Sequence, residues 1–333
     1  MGMLKKALAA VTAAVMGLQM TAFADITAND VYTDTNKALQ RMVDYGVLKE
    51  DADGTVHGGE LLTRAQMAQM FVKLLKAEDL QTDMTFNDVP ADMEYAQDIA
   101  KAAAIGIMQG DKEGMIRPDE YITFQECYVM LVRALDFMPL DFEYGGGQVW
   151  VIGKPSDKCL DRFDDKDQIS DWALDSVKAI VSNGGWKGID NRLMPNEYVK
   201  QQDFAVMVDQ LVGSFIDYPG IYANLPDTGA ILVRSGGVVI EKLHTKYNVV
   251  MCYNIGSMGA EIQGSAIDGS VVVYGGADKI KDQYGNDKPG AAKLQLGGRF
   301  RDIRVREPYI TVDCSNAKVS FFMVNKNSLL LLP

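Results

Sequence analysis

The chain has 333 residues, enough for two or three domains, and its 47% hydrophobic and 23% charged residues are those of a folded globular protein. The formal charge is −12, which excludes a nucleic-acid partner, because phosphate backbones are held by clustered Lys and Arg. Four cysteines without C-x-x-C spacing and two isolated histidines, His57 and His244, exclude a zinc site.

The N-terminus reads as an export signal spanning residues 1–24. Lys5 and Lys6 form a basic start, Ala7 to Leu18 an apolar run, and Ala22-Phe23-Ala24 an A-x-A cleavage site, so the mature chain is expected to start at Asp25. No other segment offers the ~20 apolar residues that a membrane-crossing helix needs. The expectation is an exported protein without a transmembrane segment in its mature form.

A unit of helix, glycine-punctuated loop and capped second helix then recurs three times, at 26–80, 81–138 and 162–216. A shift of 60 residues carries Gly106, Gly114 and Thr123 back onto Gly46, Gly54 and Thr63. A shift of 77 carries Phe86, Asp88, Tyr95, Pro118 and Tyr121 onward to Phe163, Asp165, Trp172, Pro195 and Tyr198. Each second helix shows one apolar stripe: Met67, Met70, Phe71, Leu74, Leu75; then Cys127, Met130, Leu131, Ala134, Leu135; then Phe204, Met207, Val208, Leu211, Val212. Three such stripes predict a common bundle core.

Between the second and third units lies an insertion, 139–161, with Gly145-Gly146-Gly147; it lacks the G-x-x-x-x-G-K-[ST] pattern of a phosphate cradle. Asp51, Asp53, Gly54 and Glu60 follow EF-hand spacing, but Lys49 stands where the first carboxylate belongs, so no calcium site is expected. Residues 217–228 read as a linker. From 229 to 333 short runs of Val, Ile and aromatic residues alternate with Gly, Asp and Asn turns, which predicts an all-β domain. Stacked solenoid rungs are preferred over a small sandwich. The fold class is therefore α + β and multidomain. Arg299, Arg301, Arg304 and Arg306 are taken as a solvated strand face, with contact to an anionic polymer as the alternative. Cys252 and Cys314 both fall in expected strands, and whether they pair is left open.

The repeat resembles the S-layer homology module of exported bacterial surface proteins. The resemblance rests on Phe86-Asn87-Asp88-Val89, Tyr95-Ala96, Gly106-Ile107, Gly110, Pro118 and Ile122-Thr123 with Glu126, on Asp30-Val31 and Leu62-Thr63-Arg64-Ala65-Gln66, and on Phe163, Asp165, Trp172-Ala173, Gly184 and Pro195. It implies a pseudo-threefold, three-helix-bundle spindle that binds cell-wall polysaccharide, a secondary polymer or peptidoglycan, at the cell surface or S-layer. Thr63 with Gln66 and Thr123 with Glu126 suit capping boxes. Arg64, beside a helix N-terminus that favours anions, is the expected carboxylate receptor. Thr63, Asp88, Tyr95 and Trp172 complete the candidate glycan-binding set. The pattern breaks at Phe124 in the second unit and at Lys200-Gln201-Gln202-Asp203 in the third, which loses Thr and Arg and is expected to lack a capping box.

No catalytic residue, metal or cofactor is expected. The preferred function is a wall-attached surface protein displaying a β-rich structural domain. The alternatives are a protein–protein scaffold of the envelope and a wall-anchored glycan-active enzyme. A second copy of the chain and another envelope protein are both open as partners of the β-rich domain.

Overall fold

The structure, a computed structural model, describes residues 35–50, 54–137 and 157–333. The export signal, Asp30-Val31, Asp51, Asp53 and most of the insertion lie outside the described residues.

Among the described residues, six α-helices form the N-terminal half: α1 (Thr35–Asp44), α2 (Arg64–Leu74), α3 (Ala96–Ala104), α4 (Phe124–Leu135), α5 (Asp171–Ser182) and α6 (Gln201–Leu211). The three apolar stripes on α2, α4 and α6 are buried in one core, where Phe71 meets Phe204 edge to face at 5.5 Å between ring centres. The first helix of each unit packs on the second helix of the unit before it: α3 on α2, α5 on α4, and α1 on α6. The repeats are thus interlocked in a ring, and none buries its stripe alone.

A triangle of backbone hydrogen bonds closes that ring. Leu62 N–H donates to Val199 at 2.9 Å, Val199 to Ile122 at 2.9 Å, and Ile122 to Leu62 at 3.0 Å. Just beyond the triangle, the otherwise unpaired first amides of each second helix are taken by the loop of the next unit. Arg64 N–H donates to Glu120, Phe124 to Glu197, and Gln201 to Glu60. Ala65 donates to Pro118, Gln125 to Pro195, and Gln202 to Gly58, which holds the place of the missing proline.

The C-terminal half is a β-solenoid of about 6 turns. One parallel ladder joins β1 (Val212–Ile216), β3 (Ala230–Val233), β6 (Val249–Met251) and the C-terminal ends of β7 (Ala260–Val273), β10 (Leu294–Val305) and β11 (Thr311–Val324). A second joins β2 (Gly220–Ala223), β4 (Val238–Glu241), the N-terminal ends of the same long strands, and β12 (Leu329–Leu331). The two-residue β5 (His244–Thr245) pairs with β7 at the third corner. Only the small hairpin β8 (Lys279–Lys281) and β9 (Asp287–Pro289) is an antiparallel strand pair. A sandwich would carry antiparallel sheets, so the parallel register decides for the solenoid.

Two features differ from the sequence reading. The first strand begins at Val212, directly from α6, and β2 falls within the residues read as a linker. The junction closes because Gly213 and Gly229 pass so near that a Cβ on either would sit 2.9 Å or less from the other's backbone nitrogen. The halves also share one core: Leu232, Val250 and Val272, stacked in register on the outer face of the first ladder, pack with the helix stripes. The alternating residues Val233, Met251 and Val273 fill the solenoid interior. A two-faced strand pattern is the sequence signature of burial on both sides.

The same alternation corrects the reading of the arginines. Arg304 occupies the next rung of the outward column, opposite Val272, and is buried rather than solvated. Arg304 Nη1 donates to Asp136 Oδ1 at 2.7 Å and its Nε to Asp302 Oδ2 at 2.6 Å. Arg306 donates to the same Asp136 carboxylate at 2.7 and 2.6 Å. Asp136 follows α4 in a left-handed conformation, φ 54°. Arg299 alone of the four matches the expected exposed face, paired with Asp268. Cys252 and Cys314 are both free and lie in different cores.

Candidate functional site

The candidate residues sit around the closing triangle of the spindle. Thr63 caps α2 reciprocally: Gln66 N–H donates to its Oγ1 at 3.2 Å, and Thr63 N–H donates to Gln66 Oε1 at 3.0 Å. At α4 the arrangement changes, because both Thr123 N–H and its hydroxyl donate to Glu126 Oε2 at 2.8 Å. At α6 one half of the expected-absent box survives: Lys200 N–H donates to Asp203 Oδ2 at 2.9 Å. A lysine side chain has no acceptor, so the reverse half has no counterpart there.

Arg64 extends from α2 into the second unit. Its Nε donates to the Ile116 carbonyl at 2.7 Å, and its Nη1 meets Glu126 at 3.0 Å. The amides beside it are those already donated to Glu120 and Pro118. The helix terminus therefore offers no free amides for an anion, and what Arg64 presents is the outer edge of its guanidinium beside the Glu126 carboxylate. Phe124, which replaces the arginine in the second unit, is buried.

Asp88 performs a structural task that its motif did not reveal. Its carboxylate accepts Ile116 N–H at 2.9 Å and Arg117 N–H at 2.7 Å. Burial raises its pKa, but these two backbone donors outweigh that cost and leave it lowered. Asp165, its counterpart 77 residues on, takes Leu193 N–H at 2.9 Å and Met194 N–H at 2.7 Å. Both aspartates therefore pin the loop that feeds its carbonyl to the preceding unit's helix.

Tyr95 and Trp172 occupy equivalent positions at the starts of α3 and α5 but differ in exposure. Tyr95 is half-buried against the core, whereas Trp172 is 59% exposed. Two further exposed aromatics were not singled out from the sequence. Tyr121 and Tyr198, each pairing with a helix-cap threonine across the ring, lie with their ring centres 5.7 Å apart. Their signal was available, since the 77-residue shift aligns them, but repetition alone does not separate a packed tyrosine from a presented one. No group of His, Cys, Asp and Glu able to hold a metal occurs among the described residues.

Comparison with known proteins agrees with this geometry. The S-layer homology domain family matches residues 29–68 and 85–126. The third unit lies outside those spans but repeats their aspartate clamp and helix order. The chain is 29% identical over 188 residues to the surface-layer 125 kDa protein of Lysinibacillus sphaericus, covering 55% of this chain and 14% of that one. It is 27% identical over 134 residues to the middle cell wall protein of Brevibacillus brevis, covering 39% and 13%. It is also 29% identical over 167 residues to exoglucanase XynX of Acetivibrio thermocellus, covering 50% and 14%. The chain thus spans about a seventh of the length of these relatives. Its matched segments carry the entry aspartate, the capped second helix and the interlocking loops, and over those segments the chain is similar to the S-layer homology domain family.

Proposed function

We propose that this chain is an extracellular surface protein held non-covalently on the cell wall by its helical spindle, with the solenoid as the displayed structural domain. The ligand is a wall glycan, either a secondary polymer or peptidoglycan. The observation that carries this reading is the family match on two interlocked repeats, together with similarity to surface-layer and cell-wall proteins over that half. The exoglucanase relative matches half of this chain and 14% of its own length, as expected of an anchor joined to different cargo.

Within the spindle, the groups that best suit a saccharide are the exposed Trp172, the Tyr121–Tyr198 pair and the outer edge of Arg64. Aromatic faces stack on sugar rings, and a guanidinium meets a carboxylate substituent. Thr63 and Asp88 act through the loops and caps that hold these groups.

Sedimentation with purified wall sacculi tests the proposal. Wild-type protein is expected to pellet, and Trp172→Ala and Tyr198→Ala to be retained less at unchanged melting temperature. Wild-type protein remaining in the supernatant would leave the spindle as a protein–protein scaffold instead.

A further inference from the structure

We propose that the cleft where the spindle meets the solenoid corner binds a small organic oxyanion, a carboxylate or phosphate group carried on a hydroxylated body. The cleft, about 260 Å³, opens between the ends of α4 and α5 and the rungs at Asn248, Ser270 and Arg301. That lies just below the ~300–1,000 Å³ of drug-sized ligand sites, a size for one sugar-sized anion. This inference is independent of wall attachment, and no residue proposed for glycan contact lines the cleft.

The argument is one of charge. Two carboxylates stand behind the cleft: Asp136 is committed to Arg304 and Arg306, and Asp302 gives Oδ2 to Arg304 and the Ser270 hydroxyl while its buried Oδ1 accepts no hydrogen bond. Asp268, which also acts on Arg301, is paired with Arg299. Arg301 faces the cleft with none of them as a hydrogen-bond partner, and its buried Nε has no acceptor at all. Burial pulls its pKa down, Asp302 opposes that shift, and Arg304 adds to it. A guanidinium left half-desolvated beside a second guanidinium is costly unless an anion completes it.

Lys246 supplies a second uncommitted cation at the cleft, its ammonium 5.1 Å from the Tyr247 ring centre. The remaining wall is polar rather than apolar. Asn183 uses its amide N–H on Phe137, which leaves its side-chain oxygen, with the Ser182 hydroxyl, to face the cleft. Such a surface suits hydroxyls on the body that carries the anion.

Calorimetric titration of the full chain at constant ionic strength tests the site with glucuronate, inorganic phosphate and glucose. Saturable binding of glucuronate and phosphate, and none of glucose, is expected. Arg301→Gln should weaken both anions roughly tenfold or more, the loss of one charge-assisted hydrogen bond. Lys246→Gln, at an exposed position, keeps the test decisive if the arginine variant misfolds, and should also weaken both. Flat titrations with both anions, glucose binding equal to glucuronate, or undiminished anion binding by a folded variant would each overturn the proposal.

Discussion

Arg64 and Asp88 grip the same residue from opposite directions. Arg64 takes the carbonyl of Ile116 at 2.7 Å, and Asp88 takes its amide at 2.9 Å. One comes from the first repeat and the other from the second, so the peptide between them is where the two units are locked. Their energies are therefore coupled. Single Arg64→Ala and Asp88→Ala variants should each destabilise, and the double variant should fall short of their sum by about 0.5–3 kcal/mol in urea unfolding. Strict additivity would show that the two contacts act independently.

Acid titrates the same lock. The Asp88 pKa is lowered in the folded state, so its contribution is full above the ordinary carboxylate range and is lost as pH falls through the folded value. Unfolding free energy should drop between pH 5 and pH 3, and Asp88→Asn should flatten part of that drop. Urea titrations of both proteins across that window check the sign and the source.

The third repeat carries a correctable flaw. Lys200 stands at an N-cap position with extended geometry, φ −93° and ψ 163°, and Asp203 already accepts its amide. The Asp203 N–H now donates to the Lys200 carbonyl at 3.0 Å; Lys200→Thr would offer it the side-chain oxygen that caps α2 and should add roughly 0.5–1 kcal/mol. Thr63→Ala, which removes the hydroxyl that accepts Gln66 N–H, should cost about 1 kcal/mol. Thermal melts of the two variants should move in opposite directions.

At the seam, Asp136 is shared by two arginines 168 and 170 residues away. Asp136→Ala leaves Arg304 buried without that partner and should cost about 3–5 kcal/mol. Because helix stripes and solenoid columns share a core, calorimetry of the wild type should show one cooperative transition. The variant should separate it into two.

The thiols report burial directly. Burial pushes Cys252 and Cys314 up to about 12, and Cys127 is raised well above its usual value for the same reason. In the native protein only the half-buried Cys159 should react with an alkylating reagent at neutral pH, with the other three following on denaturation. A total of fewer than four after denaturation without reductant would instead reveal a disulfide.

Local pattern carried much of this fold into the sequence. The stripes on α2, α4 and α6 and the cap at Thr63 lie within single helices, where spacing is sufficient to read them. Contacts made across long separations stayed hidden. Nothing near Arg304 in the chain announces Asp136, so alternation that truly marked a buried, ion-paired face was read as a solvated one. The same blindness hid the donation of the Arg64 and Ala65 amides to the next repeat, which leaves neither of them free at this helix end. Composition misled at 217–228, where proline, glycine and aspartate surround a genuine strand, β2.

The absence of any loop between α6 and β1 has a mechanical consequence. A force pulling on the solenoid while the spindle is fixed finds no slack to extend. It acts on the outer column of Leu232, Val250 and Val272 in shear and on the Asp136 clamp at its margin. The two halves therefore behave as a bracket of fixed angle, and whatever the spindle grips sets the direction in which the solenoid stands.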